Sequence, residues 1–297
     1  MVLSKHEEVQ ILKSINNIMI IGGDSRQSYM ADFLEKSDFN ITVYGLKTKD
    51  RTCIKNFKSE IEKTDAVILP LPISKDGKNI ISSEPIKETL DDIIYKTGKN
   101  CTVFGGLIDR STESKLVKKG IRYFDYYKRE DVTIKNTVPT VQGILKAIID
   151  NVDYTIHSSK CAVFGYGRVG KITADILSSI GADITVCARK KSDLTTAEMK
   201  KLNGCLIEEF YIISKNYDII INTIPSVVID RKILENLKSD CLIIDVASSP
   251  FGTDFACANE LGIRAIQCPS IPGKVAPKTA GIIIAQAITD IIKEENL

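Results

Sequence analysis

The segment 160–190, KCAVFGYGRVGKITADILSSIGADITVCARK, constrains the fold of this chain more than any other. The apolar run Cys161–Phe164 is typical of a buried parallel strand, and the glycines of GYGRVG follow it at once. Apolar residues at helical spacing continue over Ile172–Ile180, Gly181 ends that helix, and Ile184–Val186 predicts the next strand. A strand, a glycine turn, a helix and a second strand indicate one βαβ unit of a doubly wound sheet.

Each glycine of this turn has a physical role in a dinucleotide site. Gly165 allows the tight turn out of the strand, Gly167 lets the backbone approach a pyrophosphate, and Gly170 lets the helix pack closely on the sheet. The N-terminus of the helix offers free N–H groups to that anion. The alternative is a βαβ turn that binds nothing. The candidate cofactor residues in this loop are Gly165, Gly167, Arg168, Val169 and Gly170.

The residues at the end of the second strand predict which dinucleotide binds. An NAD site places Asp or Glu about 20 residues after the glycines, where it binds the ribose hydroxyls. We expect Cys187 at that position, followed by Ala188 and the cations Arg189 and Lys190. A ribose 2′-phosphate fits beside two cations with no carboxylate to repel it, so NADP is favoured over NAD. The alternative is that Arg189 and Lys190 are solvated loop charges.

The whole chain has the length and the pattern of two α/β domains. It has 297 residues, and strand-like runs alternate with helical patterns throughout. We predict a first domain of residues 1–139 plus 278–297, and an NADP-binding domain of residues 140–277 that begins with a connector helix over 140–151. The predicted fold class is therefore α/β: two Rossmann-like doubly wound domains with a cleft between them, and a C-terminal helix that crosses back to the first domain. We expect the catalytic site in that cleft.

Individual elements follow from the same patterns. The expected strands are Ile18–Ile21, Ile41–Val43, Ala66–Leu69, Thr102–Phe104, Ile121–Phe124, Cys161–Phe164, Ile184–Val186, Ile219–Asn222, Leu242–Asp245 and Arg264–Gln267. The expected helices are Tyr29–Lys36, Glu84–Lys96, Glu113–Lys119, Thr140–Asn151, Arg168–Ile180, Thr195–Asn203, Ile229–Leu237, Asp254–Leu261 and Lys278–Glu295. The segment Pro269–Pro277 is expected to be a glycine- and proline-rich loop.

Composition argues against several functional classes. There are 40 basic and 38 acidic side chains, a net charge of +2, so nothing indicates a nucleic-acid binder. The eight cysteines are scattered singly without metal-ligand spacing, which is typical of free thiols in a reducing cytosol, and we expect no metal. Residues 1–17 are charged and do not resemble a signal peptide, and the apolar stretch Ala280–Ile292 is too short for a membrane span. We therefore expect a cytoplasmic protein.

Polar turns after two other strands supply further candidates. INTIPS, residues 221–226, ends a strand at the edge where the nicotinamide ribose lies in Rossmann domains, although Asn222 is also suited to satisfying the backbone of its own turn. DVASS, residues 245–249, ends the next strand, and Asp245 is a candidate general base or a cap of the following loop. The candidate cofactor contacts in these two turns are Asn222, Thr223, Pro225 and Ala247.

Cations at two helix starts provide candidate substrate-binding residues. GGDSRQ, residues 22–27, follows the first strand, and Arg26 is suited to a forked contact with a carboxylate. IPGKVAPKTAG, residues 271–281, leads into the last helix, whose N-terminus stabilises an anion beside Lys278. The alternatives are a plain turn capped by Asp24 and a solvated lysine. The candidate substrate-binding residues are Gly23, Asp24, Arg26, Lys274, Lys278 and Thr279.

The catalytic candidates come from the same segments, with one addition. His157 lies between the connector helix and the cofactor strand; a histidine is suited to acid–base catalysis, but a lone one is also a common structural residue. No residue stands out as the base that removes a proton. The catalytic candidates are Arg26, Lys278, His157 and Asp245.

Taken together, seven segments resemble the A-subunit family of the dipicolinate synthases of endospore-forming bacteria. They follow the family's order over nearly the whole chain, and DYTIHSS and PGKVAPKTAG are much more specific than the glycine loop. The segments are IGGDSRQ (21–27), NTVPTVQG (136–143), DYTIHSS (153–159), VFGYGRVG (163–170), INTIPS (221–226), DVASSPFGTDF (245–255) and IPGKVAPKTAG (271–281).

The resemblance implies a function. The family acts with the flavoprotein-like B-subunit of dipicolinate synthase to make dipicolinate from the intermediate that dihydrodipicolinate synthase produces. It implies oxidation of dihydrodipicolinate, or of its hydroxy-tetrahydro precursor, with NADP as acceptor, in the mother-cell cytoplasm during sporulation. We expect a dicarboxylate substrate, the B-subunit as partner and a homodimer or larger oligomer. The alternatives are a non-catalytic NADP-binding protein that supports the flavoprotein partner, and another NADP-dependent two-domain dehydrogenase.

Overall fold

The computed structural model describes residues 14–48, 53, 54 and 56–297. Most of the charged segment 1–17 lies outside the described residues. The chain forms two compact units: one contains the described residues up to Thr133 together with Pro277–Leu297, and the other is Ile134–Ala276. The units therefore divide after Thr133 and after Ala276, whereas the sequence predicts domain boundaries after residues 139 and 277.

The first unit is built on one parallel sheet. Its strands are β1 (Asn17–Ile21), β2 (Asn40–Tyr44), β3 (Ala66–Ile68), β4 (Thr102–Gly105) and β5 (Arg122–Asp125). Helices connect them: α1 (Ser25–Glu35), α2 (Phe57–Ile61), α3 (Leu90–Lys96) and α4 (Arg110–Lys119). Helix α5 (Glu130–Lys135) follows the last strand and contains the boundary after Thr133. The strand order is β2-β1-β3-β4-β5. The direction in which successive strands are added to the sheet therefore reverses between β1 and β3. Doubly wound sheets bind ligands at such a reversal, outside the carboxyl ends of the strands.

Strand β1 shows why this sheet forms. Ile18 and Ile20 pack in one buried cluster with Leu34 of α1, whereas Met19 and Ile21 pack in the cluster on the opposite face. Successive side chains of a strand point to opposite faces, so a strand covered on both faces is apolar throughout.

The second unit has a sheet of six parallel strands. They are β6 (Lys160–Phe164), β7 (Asp183–Ala188), β8 (Asn203–Leu206), β9 (Ile219–Asn222), β10 (Leu242–Asp245) and β11 (Arg264–Gln267). Its helices are α6 (Thr137–Ile149), α7 (Arg168–Ser179), α8 (Lys191–Met199), α9 (Arg231–Leu234), α10 (Phe255–Glu260) and α11 (Ile271–Val275). The order β11-β10-β9-β6-β7-β8 is that of a dinucleotide-binding domain, with β6 and β9 at the point of reversal.

The last helix, α12 (Pro277–Glu294), packs on the first unit as predicted. A Cβ at Gly281 would lie 2.3 Å from the carbonyl oxygen of Arg26, so the absence of a side chain lets α12 approach the first turn of α1. Farther along, Ile284 and Ile288 share a buried cluster with Leu34. The predicted fold class, two doubly wound α/β domains with a C-terminal helix that returns to the first, is confirmed.

Several predicted helices are wrong at their limits, and two of them have a clear physical reason. The helix predicted over Thr195–Asn203 is α8, which begins at Lys191, and the chain then enters strand β8, which the sequence does not predict. The helix predicted over Glu84–Lys96 begins only at Leu90. Thr89 caps it there, since the Thr89 hydroxyl accepts from the backbone N–H of Asp92 while the Asp92 carboxylate accepts from the backbone N–H of Thr89.

The segment Pro269–Pro277 is not a simple loop. It contains the short helix α11, which carries Pro272 in its first turn, where the missing N–H costs nothing. Helix α11 lies against α6, since a Cβ at Gly143 would be 2.0 Å from the side chain of Ile271. No helix in the described ranges combines the length and the apolar character that a membrane span requires.

Candidate functional site

The three glycines between β6 and α7 differ in what the surrounding structure requires of them. Gly165 has φ +92°, and a Cβ there would lie 2.5 Å from Thr223 Oγ1. A Cβ at Gly170 would lie 2.0 Å from the carbonyl oxygen of Gly165. Gly167 has φ −80°, which any residue adopts, and its Cβ would meet nothing within 4 Å. The fold therefore requires glycine at 165 and at 170, but the protein itself does not require glycine at 167.

The start of α7 is suited to an anion. Gly167 is the N-cap residue and no side chain caps this 12-residue helix, so its first N–H groups have no side-chain acceptor. Arg168 and Lys171 are exposed in its first turn, and the Lys171 ammonium lies 5.5 Å from the ring centre of Tyr166. The helix dipole is positive at this end and both side chains are cations, so dipole and side chains both favour a phosphate group.

The turn after β9 is bonded to the strand that carries the glycine loop. The Thr223 hydroxyl donates to the carbonyl oxygen of Phe164 at 2.8 Å, and the Thr223 backbone N–H donates to the same oxygen at 3.0 Å. Asn222 is buried and is used by its own turn: Nδ2 donates to the Ile224 carbonyl at 3.0 Å and Oδ1 accepts from the Ile224 N–H at 3.1 Å. Pro225 beyond it is exposed. The turn is thus rigid, and Asn222 satisfies its backbone.

Asp245, at the end of β10, caps the following loop, as one of its two predicted roles has it, and is not placed as a general base. Its carboxylate is fully buried and accepts from Ala247 N at 3.1 Å, Gly252 N at 2.9 Å and Thr253 Oγ1 at 2.8 Å. A carboxylate with three donors and no access to solvent fixes the loop that contains Ala247. The sequence gives no signal for Thr253, because a separation of eight residues has no meaning outside the folded loop.

The loops after β9 and β10 also pack against each other. A Cβ at Gly252 would lie 2.3 Å from the carbonyl oxygen of Ile224 and 2.4 Å from Nδ2 of Asn222. The carbonyl oxygen of Gly252 accepts from the N–H groups of Val228 and Ile229, both at 2.9 Å. The edge that carries the glycine loop is therefore held by one continuous set of backbone contacts.

Strand β7 ends one residue beyond Cys187, the position predicted for ribose recognition. Cys187 is fully buried in a cluster with Phe210, and the strand continues one residue further, to Ala188. Ala188, not Cys187, is therefore the last strand residue, and it is no carboxylate either. Arg189 and Lys190 follow as exposed cations, and Lys190 is the N-cap of α8, which has no side-chain cap.

His157 is also corrected. It lies before β6, at the amino-terminal edge of the sheet, whereas the glycine loop follows the carboxyl end of the same strand. A Cβ at Gly181 would lie 2.4 Å from Cδ2 of its ring, and Ser158 Oγ lies 2.9 Å from its Nδ1. The imidazole therefore packs at the end of the sheet opposite to the candidate site, and we do not retain it as an acid or base.

In the first unit, GGDSRQ lies at the carboxyl end of β1, where the sheet reverses. Asp24 caps α1 in a capping box with Gln27, as predicted by the alternative of a plain turn capped by Asp24. Arg26 is bonded in place: Nε and Nη2 donate to the Asp24 carboxylate at 2.9–3.2 Å, and Nη2 donates to the Leu71 carbonyl at 2.6 Å. Leu71 follows β3, so Arg26 links the loops on both sides of the reversal. The Asp24 side chain is 43% exposed, whereas that of Arg26 is 11% exposed.

The cations of the predicted substrate site lie in different elements. Lys278 and Thr279 are exposed in the first turn of α12, in the same unit as Arg26. Lys274 is exposed on α11, in the other unit. Gly23, with φ +104°, is buried against the side chain of Gln27, so it is a conformational residue of the loop.

A further region, outside the candidate site, is unsuited to the expected dicarboxylate substrate. A cavity of about 700 Å³ at the amino ends of β1 and β2 is lined by three carboxylates, those of Glu35, Asp38 and Glu60, and by Lys63, which disfavours a dicarboxylate. Within the described ranges, no three or more His, Cys, Asp and Glu side chains are grouped to hold a metal ion.

Two protein families match the two parts of the chain. Residues 17–127 match the family of N-terminal domains of the dipicolinate synthase A-subunit. Residues 141–257 match the family described as "D-isomer specific 2-hydroxyacid dehydrogenase, NAD binding domain". The second unit is thus a nicotinamide dinucleotide-binding domain of the dehydrogenase type.

Individual relatives match nearly the whole chain. The dipicolinate synthase A-subunit of Bacillus subtilis (strain 168) is 33% identical over 285 residues, covering 93% of this chain and 96% of that protein. The crystal structure of the dipicolinate synthase A-subunit from Bacillus halodurans matches with a TM-score of 0.85 at 31% identity, covering 94% of this chain and 98% of that chain. A transhydrogenase from Sinorhizobium meliloti, 12% identical with a TM-score of 0.69 over 94% of each chain, shares the fold.

Proposed function

This chain belongs to the A-subunit family of the dipicolinate synthases, and from that premise we propose that it is the NADP-linked oxidoreductase component of such a synthase. It oxidises dihydrodipicolinate, or its hydroxy-tetrahydro precursor, to dipicolinate. It works with the flavoprotein-like B-subunit in the mother-cell cytoplasm of a sporulating bacterium.

One observation carries the cofactor part of the proposal. Glycine at 167 is not required by the backbone conformation, nor by any neighbouring atom, because its Cβ direction is empty. A residue without a side chain at an uncapped helix N-terminus leaves room for a group that is not part of the chain. A pyrophosphate fits the position, since it would accept from the free N–H groups of α7 and lie near Arg168.

The end of β7 supports NADP over NAD. Ala188 occupies the position where an acidic side chain would bind the ribose hydroxyls and repel a 2′-phosphate. Arg189 and Lys190 are exposed beside it, at the uncapped start of α8. An extra phosphate dianion gains charge-assisted hydrogen bonds from these groups, and a plain ribose does not.

The first unit supplies the proposed substrate contacts. The Arg26 guanidinium is held at the sheet reversal by Asp24 and by the Leu71 carbonyl, through Nε and Nη2. Nη1 is the edge that we propose for one carboxylate of the substrate. Lys278 and Thr279, at the N-terminus of an 18-residue helix, are proposed for the other carboxylate.

The chemistry makes modest demands on acid–base residues. The bound nicotinamide would accept a hydride from a ring carbon of the substrate. The ring also loses one proton, and the product is an aromatic pyridine dicarboxylate, so the reaction is downhill. The protein must hold two carboxylates and orient one C–H bond, and positioning of this kind supplies a large part of a barrier reduction.

A second candidate function is a non-catalytic protein that binds NADP for its flavoprotein partner. It is favoured by the positions of the two candidate bases, because Asp245 is buried with three donors and His157 lies at the opposite edge of the sheet. Turnover by the isolated chain separates the two candidates.

The cofactor proposal is tested by calorimetric titration of the chain with NADP and with NAD. We expect NADP to bind at least about tenfold more tightly, because each charge-assisted contact is worth roughly a factor of ten. Arg189→Ala should weaken NADP and leave NAD nearly unchanged. Lys215→Ala, an exposed cation elsewhere in the same unit, is the matched control and should change neither. Equal affinities of the wild-type chain for both dinucleotides would overturn the NADP assignment.

A further inference from the structure

Two cysteines lie side by side at the carboxyl edge of the second unit's sheet. Cys187 of β7 and Cys205 of β8 are directly registered partners in the parallel ladder. Registered residues of neighbouring strands point to the same face, with strands about 4.8 Å apart. Disulfides join residues whose Cα atoms are roughly 4.4–6.8 Å apart. The backbone therefore already holds this pair at a bridging distance.

The two thiols differ in access. Cys187 is fully buried, whereas Cys205 is only partly buried at the border of the same apolar cluster, and its Sγ donates to the carbonyl oxygen of Leu206 at 3.3 Å. No other pair of cysteines is registered between neighbouring strands of the described sheets. Cys161 and Cys241, for example, pack in clusters on opposite faces.

We propose that Cys187 and Cys205 are a reversible redox site: mild oxidation joins them in a disulfide, and this bridge weakens dinucleotide binding at the adjacent glycine loop.

The environment assigns a different part of the reaction to each thiol. The neighbouring Cys187 thiol favours the thiolate of Cys205 and so lowers the pKa of Cys205, whereas burial raises the pKa of Cys187 well above its usual value. Cys205, which is also the accessible thiol, is therefore the one that reacts first.

With hydrogen peroxide as oxidant, the steps balance. The Cys205 thiolate attacks one peroxide oxygen, so an S–O bond forms, the O–O bond breaks, and hydroxide leaves and takes up the proton that the thiol released. The Cys187 sulfur then attacks the sulfenic sulfur of Cys205; the S–S bond forms, the S–O bond breaks, and the departing hydroxide takes the Cys187 proton. Two thiols lose two electrons, and one peroxide becomes two water molecules.

The bridge would act on the glycine loop through one hydrogen bond. The carbonyl oxygen of Cys187 accepts from the N–H of Gly165 at 2.8 Å, and Arg189 follows Cys187 by two positions. A disulfide needs Cβ atoms roughly 3.5–4.5 Å apart, which is less than the strand spacing of about 4.8 Å, so closing the bridge draws β8 and the end of β7 together at this point. The anchor of Gly165 and the start of the cation pair move with the end of β7. This effect on binding rests on the proposed function, whereas the bridge itself does not.

The bridge is tested by treating the full chain with limiting peroxide, blocking free thiols, and mapping peptides without reduction. We expect a peptide pair linked through Cys187 and Cys205, which dithiothreitol separates. Cys205→Ala should abolish the link, and Cys187→Ala should leave a sulfenic acid at Cys205 that dimedone traps. Cys268→Ala, a partly buried single cysteine, is the control and should keep the link. Recovery of both Cys187 and Cys205 as free thiols, after other cysteines have been oxidised, would overturn the proposal.

The effect on binding is read by titrating the same samples with NADP. We expect the dissociation constant of the oxidised chain to rise at least fivefold and to return after reduction, with no change for peroxide-treated Cys205→Ala. A linked chain with unchanged affinity would overturn the effect on binding. If the reduced wild-type chain does not bind NADP at all, the proposed cofactor is wrong, and the mapped link still decides the redox site.

Discussion

The hydroxyl of Thr223 donates to the carbonyl oxygen of Phe164 at 2.8 Å, and so joins the turn after β9 to the strand that leads into the glycine loop. A Cβ at Gly165 would lie only 2.5 Å from the same Oγ1 atom. One side chain thus holds two of the loops at the dinucleotide edge and also explains the glycine that begins the first of them.

Replacing Thr223 by Val tests this link, because the shapes match and only the hydroxyl is lost. We expect a loss of about 1 kcal/mol in the free energy of unfolding, the usual net value of one such hydrogen bond, and weaker NADP binding. Chemical denaturation and calorimetric titration measure the two effects. Thr196→Val is the control, because its hydroxyl bonds only within the exposed helix α8, to Ser192 O at 2.7 Å. Equal effects of the two substitutions on NADP affinity would contradict the assignment.

The glycine loop allows folding and binding to be separated. Gly167→Val places a side chain in empty space with an allowed φ, so we expect a folded protein that no longer binds dinucleotide. Gly170→Ala drives a Cβ to 2.0 Å from the Gly165 carbonyl oxygen, so we expect a loss of about 1–3 kcal/mol or more in stability. Thermal unfolding and NADP titration are read for both. Normal NADP binding by Gly167→Val would mean that the loop is only a structural turn.

The proposed substrate anchors can be tested by replacing each cation with the uncharged, unbranched side chain of methionine. Arg26→Met and Lys278→Met should each raise KM for the substrate by about tenfold or more, and leave NADP affinity unchanged, because each removes one partner of a carboxylate. The double variant should lose most turnover. Arg26→Met also loses the bonds to Asp24 and Leu71, so its thermal unfolding is measured alongside. Arg110→Met, an exposed cation in the same unit, is the control. Unchanged KM in both single variants would place the substrate elsewhere.

Asp218 accepts a hydrogen bond from the first residue of β6, and its carboxylate predicts part of the loss of folding stability at acidic pH. Burial opposes ionisation of Asp218, but the Lys238 ammonium at 2.5 Å and the Lys160 N–H at 2.8 Å outweigh it, so its pKa lies below the usual value. A lowered pKa gives stability that is complete above the unfolded value of about 3.9 and is lost as the pH falls through the folded value.

Asp218→Asn should therefore cost stability at pH 7, on the order of 1 kcal/mol, and the difference from wild type should shrink below about pH 4. Urea unfolding at several pH values measures it. Asp240→Asn, at an exposed aspartate of the same unit, is the control. A difference that is constant down to the most acidic pH would show that Asp218 acts through packing and not through its charge.

The strands were largely predictable from the sequence because most are buried on both faces and hence apolar. Ile219–Asn222 and Leu242–Asp245 are predicted at their observed limits. Strand β8 was not predicted, since Asn203 and Gly204 are exposed polar or small residues and its pairing with β7 supplies what its sequence lacks.

The glycine loop was also predictable from the sequence, but the residues that bond to it and hold it in place were not. The positive φ of Gly165 follows from the motif, whereas the Thr223–Phe164 bond joins residues 59 positions apart. Cys187 was misplaced by one residue because the end of a strand cannot be read from composition alone. For Asp245 and His157 the sequence allows both a catalytic and a structural role. Only the fold decides between them, because it surrounds Asp245 with three donors and places His157 at the opposite edge of the sheet.

The central claim, that this chain itself oxidises the substrate with NADP, is tested most directly by one measurement. The purified chain, without its flavoprotein-like partner, is mixed with NADP and freshly made product of dihydrodipicolinate synthase, and NADPH and dipicolinate are quantified together. We predict that both appear in equal amounts and that the Arg26→Met, Lys278→Met double variant forms neither at a comparable rate. Tight NADP binding with no NADPH and no dipicolinate would contradict the claim and favour a protein that only binds NADP for its partner.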